Sequence, residues 1–121
     1  MIVQSQPIIL LIGKDATLVY LLARFAEHSG YQCKVSAGDV SSREITALNP
    51  AVIIFLSTEL LAKGQTVVAE LANLDAPILV CTSVVEEARA RELGADYCLL
   101  HPLTYNDFQT ALATVTASKQ S

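Results

Sequence analysis

Charge is scarce in this sequence, and so are the residues that most catalytic and metal sites use. Only 17% of the 121 residues are Asp, Glu, Lys or Arg, and the chain has two histidines, three cysteines and no tryptophan. The eight basic residues are scattered singly and the net charge is −4, so no surface for nucleic-acid phosphates is expected. No apolar run approaches the roughly 18 to 20 residues of a membrane-spanning helix. We therefore expect a soluble, cytoplasmic protein without nucleic-acid or membrane partners.

The cysteines do not form a recognisable motif. Cys33, Cys81 and Cys98 are odd in number, lack CxxC spacing and lie inside apolar runs, which predicts buried thiols. A metal or redox role would need clustered histidines or acids, and His28 and His101 lie far apart in the sequence. No metal site and no catalytic residue is therefore predicted.

Apolar residues, by contrast, are abundant: they make up 52% of the chain, and the mean hydropathy is +0.44. Short, wholly apolar runs alternate with amphipathic stretches of helical period, a pattern typical of parallel strands covered by helices on both faces. The length suits one domain. We expect its core to cover residues 7–116, with a flexible tail over 117–121.

Five strands are predicted, each bounded by glycine, proline or polar residues: 8–12, 32–37, 51–56, 77–81 and 97–100. The second alternates polar and apolar residues, as an edge strand with one wet face does. Right-handed crossovers and short loops in a chain of this length predict a doubly wound α/β sheet. Its expected strand order is the flavodoxin-like 2-1-3-4-5.

A helix is predicted after each strand. Asp15 can cap the first, and Ser41 with Glu44 has capping-box spacing before a short second helix. Ser83 with Glu86 repeats that spacing before the fourth helix. The remaining predictions are a loop from the third strand to about residue 64, a helix through residue 71, an exposed Glu87–Arg91 pair, and a last helix over about 105–115.

Ligands of such sheets bind beyond the carboxyl ends of the strands. The residues there are Gly13, Lys14, Asp15, Leu56, Ser57, Thr82, Ser83 and His101. Lys14 could bind an anion together with the first amides of the helix that follows, or it could simply be solvated. Thr82 could serve a ligand or only finish its strand. His101 could act as an acid or base or only preserve the shape of the loop.

The order and spacing of these strand ends resemble the receiver domain of two-component response regulators. Pro50 opens an apolar run that ends at Leu56, as the family's third strand begins after a proline and ends at the phosphoacceptor aspartate. The other matching landmarks are Gly64, the fourth strand ending in Thr82, the triplet Gly94-Ala95-Asp96 and the pair His101-Pro102. The resemblance covers nearly the whole chain and implies a cis bond before Pro102.

The residues that perform the family's chemistry are missing from the matching positions. The resemblance places the acids that bind magnesium at Gly13 and Lys14, the phosphoacceptor at Leu56 and the phosphoryl-contacting lysine at His101. Leucine has no oxygen that could accept a phosphoryl group, and Ser57 lacks an evident activating base. Gly13 and Lys14, in place of two acids, remove metal ligands and add a positive charge. Magnesium binding is therefore predicted to be lost.

The resemblance therefore implies a degenerate receiver, or pseudo-receiver: a non-catalytic protein-interaction module in signal transduction that works without phosphorylation or a cofactor. The stretch between Thr82 and His101 is shorter than in the family, which implies one fixed conformation. Expected partners are a kinase, an output domain, a regulator or a second copy. The family's interaction face falls on Glu86, Arg89, Asn106, Gln109 and Thr110, which could also be ordinary solvated surface. The alternative function is a small-ligand or anion sensor around Lys14, Ser57, Thr82 and His101.

Overall fold

A parallel five-stranded sheet of order β2-β1-β3-β4-β5 forms the centre of the molecule. The computed structural model describes the backbone of residues 6–120, and the side chains of these residues except 73 and 117–120. In chain order the elements are β1 (Ile8–Ile12), α1 (Ala16–His28), β2 (Gln32–Ser36), α2 (Ser42–Leu48), β3 (Val52–Phe55), α3 (Thr58–Lys63), α4 (Gln65–Glu70), β4 (Ile78–Thr82), α5 (Glu87–Glu92), β5 (Tyr97–Leu100) and α6 (Tyr105–Gln120), with 3₁₀ turns at Leu71–Asn73 and Val84–Glu86. The predicted flavodoxin-like strand order is confirmed.

Helices cover both faces of this sheet because successive residues of a strand point to opposite sides. Ile9 and Leu11 of β1 pack in the layer of α1 and α6, whereas Leu10 and Ile12 pack in the layer of α2 to α5. Every residue of β3 and β4 is buried, as strands covered on both faces require. β2 lies at the edge and is largely exposed, as its alternating sequence predicts.

Local sequence signals fix the start of two helices as expected. The Asp15 carboxylate accepts a hydrogen bond from the Leu18 backbone N–H at 3.1 Å and caps α1. Ser41 and Glu44 form a complete capping box at α2. These side chains satisfy N–H groups that the first turn of a helix leaves unpaired.

The predicted capping box of Ser83 and Glu86 does not form. The Ser83 side chain caps nothing, and its carbonyl accepts the Glu86 N–H at 3.1 Å, which closes the 3₁₀ turn. The Glu86 carboxylate lies 3.5 Å from Arg89 Nη1 instead of reaching back to the Ser83 backbone. The α-helix therefore begins later, at Glu87. The predicted Glu87–Arg91 ion pair is present, at 3.2 Å.

The segment after β3 also departs from expectation. Residues predicted to form a loop up to Gly64 form α3, because Ser57 Oγ accepts the Leu60 N–H at 3.1 Å and starts a helix at once. Gly64 ends α3 and α4 follows directly. Gln65 braces the junction through its side-chain amide, which donates to the carbonyls of Leu61 and Leu93 at 2.9 and 2.8 Å.

Three further observations complete the comparison with the sequence. Cys81 and Cys98 are buried as predicted, but Cys33 is only half-buried because β2 is an edge strand. The His101–Pro102 bond is cis. α6 extends to Gln120, so the segment predicted to be a tail is helical as far as it is described, and Ser121 lies outside the described residues. Over residues 6–120 no helix has the length and apolar character needed to span a membrane.

Candidate functional site

The carboxyl ends of the central strands surround an open cavity of about 610 Å³. Of the residues predicted to meet there, Asp15, Leu56, Ser57, Thr82, Ser83 and His101 line the cavity. Its other lining residues are Leu18, Thr58, Glu59, Cys81, Glu86 and Arg89. Lys14 is exposed and Gly13 is buried, and neither lines the cavity.

Leu56 and Gly13 are packed directly against each other. A Cβ atom placed on Gly13 would lie 2.8 Å from Leu56 Cβ and Cδ1, and the φ angle of Gly13 is +147°. Leu56 is only 4% exposed and belongs to the same apolar layer as Ile9 and Ile54. Glycine is therefore required at position 13 both for its backbone conformation and for the space that Leu56 fills.

Main-chain hydrogen bonds hold these two residues in place. Leu56 N donates to the Ile12 carbonyl at 3.0 Å, and Gly13 N donates to the Ser36 carbonyl at 2.8 Å. The pairing of the sheet thus continues one step beyond β3 and β1. The Leu56 side chain is presented to the core by regular sheet geometry and not by a flexible loop.

Thr82 and Thr58 form the buried polar contact of the site. Their hydroxyl oxygens are 2.6 Å apart, and the residues are 5% and 6% exposed. Among the described residues, Thr58 and Thr82 are the two polar residues that are buried. A buried hydroxyl without a partner is costly, so each threonine stabilises the position of the other. We call Gly13, Leu56, Thr58 and Thr82 together the corner.

Thr58 was not identified from the sequence. Its role depends on a contact with a residue 24 positions away, and no local spacing rule indicates that pairing. The only hint is that a second hydroxyl follows Ser57 immediately after the strand.

The polar groups at the rim of the cavity already have structural partners. The Asp15 carboxylate caps α1, and the Ser57 hydroxyl caps α3. The backbone N–H of His101 donates to the Thr82 carbonyl at 3.2 Å, while its side chain is exposed. The first amides of α1 therefore face a carboxylate of the chain itself, which does not suit them to a bound anion.

The charges around the cavity are predominantly negative. Asp15, Glu59 and Glu86 contribute carboxylates, whereas Arg89 is the permanently charged basic group that lines it. Arg89 forms an ion pair with Glu86, and both side chains are about half exposed. Exposed ion pairs of this kind contribute little to stability. Their main effect is on the sign of the charge that a ligand in this cavity could carry. An anion would meet more repulsion than attraction here.

The cysteine thiols are poor nucleophiles in this structure. Burial, and secondarily the charge of Asp15, raises the pKa of Cys81 to about 12. Burial also raises the pKa of Cys98 and of Cys33. Because the thiolate is the reactive form, a raised pKa leaves these groups protonated and inert at neutral pH.

The residues of the corner do not fit a magnesium ion. Mg²⁺ takes oxygen ligands in near-octahedral geometry, but Gly13 has no side chain and Leu56 has no oxygen. The Asp15 carboxylate is engaged by the Leu18 N–H. Within the described part of the chain, no group of three His, Cys, Asp or Glu side chains is placed to hold a metal ion.

A second cavity, of about 300 Å³, runs along β5, and we call it the β5 groove. It is lined by Val84, Tyr97, Cys98, Leu99, Leu100, His101, Pro102 and Asp107. Of the predicted interaction face, Glu86 and Arg89 line the first cavity instead. Asn106, Gln109 and Thr110 are exposed on α6 and line neither cavity. Asp107 and Val84 line this groove and are not among the residues predicted for the interaction face.

Comparison with known proteins identifies the fold through structure alone. No family model matches the sequence, and no curated protein matches it. The chemotaxis protein CheY4 of Vibrio cholerae is similar with a TM-score of 0.72 and 16% identity, covering 92% of this chain and 99% of that one.

Two further solved structures give the same result. A CheY-like response regulator receiver domain protein from Methanospirillum hungatei has a TM-score of 0.67 at 17% identity, over 96% and 98% of the two chains. A two-component response regulator from Clostridium difficile has a TM-score of 0.69 at 21% identity, over 96% and 100%. This chain thus has the flavodoxin-like fold that these CheY-like receiver domains share.

Proposed function

We propose that this chain is a pseudo-receiver: a non-catalytic module of the response-regulator type that binds a protein partner in cytoplasmic signal transduction without being phosphorylated. The observation that carries the proposal is Leu56 packed over Gly13. These are the positions at which the resemblance to receiver domains places the phosphoacceptor and a metal-binding acid. An apolar contact fills the place where phosphoryl chemistry would need oxygen atoms.

The remaining nucleophiles near Leu56 do not replace the missing aspartate. Ser57 Oγ accepts the Leu60 N–H, and the hydroxyls of Thr58 and Thr82 bond to each other. Among the described residues, no carboxylate or imidazole is hydrogen-bonded to these hydroxyls. A serine or threonine hydroxyl is a weak nucleophile without such a base.

The Thr58–Thr82 contact supports a single conformation. The resemblance implies that Thr82 is the residue that would hydrogen-bond a phosphoryl group. Here its hydroxyl is buried and engaged by Thr58 at 2.6 Å, and its carbonyl accepts the His101 N–H. A partner would then meet the same surface at all times. That partner is a kinase, an output domain, a regulator or a second copy.

The proposal is tested by attempted phosphorylation. The protein is incubated with acetyl phosphate at increasing magnesium concentrations and followed by intact-mass spectrometry. A receiver domain that retains its aspartate and acids serves as the positive control. We expect no phosphoryl adduct at any magnesium concentration. A stoichiometric, magnesium-dependent adduct would refute the proposal.

The anion-sensor alternative has less support. Lys14 does not line the cavity, and the cavity wall carries more carboxylates than basic groups. Thermal denaturation with phosphate, nucleotides and small carboxylates tests it directly, because a ligand that binds the folded state raises the Tm. We expect no shift. A rise that Lys14→Ala abolishes would establish the sensor and displace the interaction module as the leading function.

A further inference from the structure

The two side-chain hydrogen bonds that join the most distant positions in the described part of the chain lie at opposite ends of α3. At its start, the hydroxyls of Thr58 and Thr82 are 2.6 Å apart and connect residues separated by 24 positions. Just after its end, Gln65 Nε2 donates to the Leu93 carbonyl at 2.8 Å, across 28 positions. The first bond ties α3 to β4, and the second ties the junction of α3 and α4 to the end of α5. α3 thus connects the corner with a helix that contains none of the corner's residues.

Gln65 bonds the ends of two different helices through one amide group. Its Nε2 also donates to the Leu61 carbonyl at 2.9 Å, so each of the two donor hydrogens of the amide has an acceptor. Leu61 lies in the last turn of α3, and Leu93 is the residue at which α5 ends. Carbonyls at the end of a helix lack their usual partners, so a side chain that reaches two of them fixes the two helix ends relative to each other. We call these two bonds the Gln65 clamp.

Close packing surrounds the Gln65 clamp. Leu61 of α3 and Ala90 of α5 are fully buried in the same apolar layer. A Cβ atom placed on Gly94, which follows α5, would lie 3.2 Å from Val68 Cγ1 of α4. Because such tightly packed interiors have few voids and low compressibility, a displacement of α3 is passed to α5 and not absorbed between them.

We propose that the Gln65 clamp couples the corner to α5, so that the position of α5 depends on the Thr58–Thr82 contact through α3 and Gln65. Separating the two hydroxyls frees the start of α3, and the clamp transmits this freedom to the end of α5. The direct connection from β4 to α5, the 3₁₀ turn Val84–Glu86, carries two exposed valines and restrains α5 little. Gln65 is thus a positioning residue. A ligand or partner that parted the threonines would change the surface that α5 presents.

This inference does not rest on the proposed function, because it concerns how α5 is held whether or not the chain binds a partner or accepts a phosphoryl group. Native-state hydrogen exchange of the backbone amides of the full chain, followed by NMR, tests the Gln65 clamp. Gln65→Ala should speed exchange in α5 about fivefold relative to α6, as expected for the loss of a hydrogen bond. Gln65→Glu should do at least the same, because a carboxylate cannot donate to a carbonyl.

Gln109→Ala is the matched control, since the Gln109 amide donates to the Tyr105 hydroxyl at 3.1 Å within α6 and does not join two helices. It should leave exchange in α5 unchanged. If exchange in α5 were the same in Gln65→Ala as in the wild type, or equally fast in Gln109→Ala and Gln65→Ala, the Gln65 clamp would be refuted.

Thr58→Val tests the coupling itself. In the wild-type background it should speed exchange in α5 about threefold or more relative to α6, and in a Gln65→Ala background it should add nothing, because the connection is already broken. Thr58→Ser keeps the hydroxyl and should leave α5 as in the wild type. A threonine that only stabilises the fold would raise exchange in α5 and α6 together, to the same extent in both backgrounds. That result, or no change in α5, overturns the coupling.

Discussion

The corner and the exposed turn of Val84 and Val85, called here the valine turn, both lie at the end of the sheet where β4 ends, but their apolar side chains differ in burial. In the corner, Leu56 is buried against Gly13 and the hydroxyls of Thr58 and Thr82 satisfy each other. In the valine turn, the side chain of Val85 is almost fully exposed to solvent. The residues of the corner are buried and stabilise the fold. The side chains of Val84 and Val85 are exposed and contribute little to stability. The packing of the chain thus accounts for the residues of the corner and leaves the exposure of Val85 unexplained.

The largest effect is expected from Leu56→Asp. This variant restores the residue type that phosphoryl transfer would need, but it places a carboxylate in an apolar layer and directly against Gly13. Loss of a buried leucine alone costs about 2 to 5 kcal/mol, and an unpaired charge adds to this. We expect the free energy of unfolding, measured with urea, to fall by about 4 kcal/mol or more.

Leu56→Asn separates the loss of the leucine from the cost of the buried charge, because asparagine has nearly the same shape as aspartate but no charge. Burial raises the pKa of an unpaired carboxyl, so its folded-state pKa lies above the unfolded one. The stability of the Leu56→Asp variant should therefore recover as the pH falls through that folded pKa, and that of Leu56→Asn should not. Equal stability of Leu56→Asp and the wild type at neutral pH would mean that the corner is open to solvent or to a cation.

Gly13→Ala is expected to cause the second-largest loss of stability. The new Cβ would lie 2.8 Å from Leu56, and the φ of +147° is unfavourable for alanine. We expect a loss of about 2 to 3 kcal/mol in urea unfolding. Gly30→Ala is the control for backbone strain alone, because Gly30 has a φ of +84° and nothing within 4 Å of the added atom. It should cost about 1 kcal/mol.

The steric part of this effect should depend on Leu56. In a Leu56→Ala background, where the clashing atoms beyond Cβ are gone, Gly13→Ala should cost less than in the wild type. Additive losses in the two variants would indicate that the cost comes from the backbone conformation of Gly13 and from the Leu56 Cβ atom, which alanine retains.

The architecture could be derived from the sequence because its signals are local and repeated. Strands covered on both faces give continuous apolar runs, and Asp15 and Ser41 mark helix starts within a few residues of the groups they bond. The predicted loop before Gly64 is wrong because a serine that follows a strand can either face a ligand or cap a helix, and Ser57 caps α3. The error at Ser83 arose because the Glu86 carboxylate is used by Arg89.

The site was less predictable because its contacts join distant parts of the chain. The sequence identified the missing acids and aspartate, but not the contact between Leu56 and Gly13 that fills their place. It could not pair Thr58 with Thr82, and it gave no reason to single out Val84 and Val85. Adjacent valines after a strand are indistinguishable from core residues until their surroundings are known.

Thr82→Val should have a moderate effect. It leaves the buried Thr58 hydroxyl without its 2.6 Å partner, which costs about 1 to 2 kcal/mol in thermal or urea unfolding. Thr58→Val should cost a similar amount. The double variant should lose less than the sum of the two, because no orphaned hydroxyl remains.

Thr46→Val provides the comparison for a hydroxyl in an exposed helix, where the Thr46 side chain bonds the Ser42 carbonyl at 2.8 Å. This change should cost less than about 0.5 kcal/mol. If the buried threonines behaved like Thr46, the corner would not be held by their contact, and the argument for one fixed conformation would fail.

The smallest effect on stability is expected from Val85→Ser, and this is the sharpest contrast with Leu56. Val85 is 92% exposed, so its replacement should change the free energy of unfolding of the monomer by less than about 0.5 kcal/mol when measured at low micromolar concentration. A loss of more than about 1 kcal/mol in the monomer would mean that Val85 packs within its own chain. Its exposure would then no longer distinguish the valine turn from the corner.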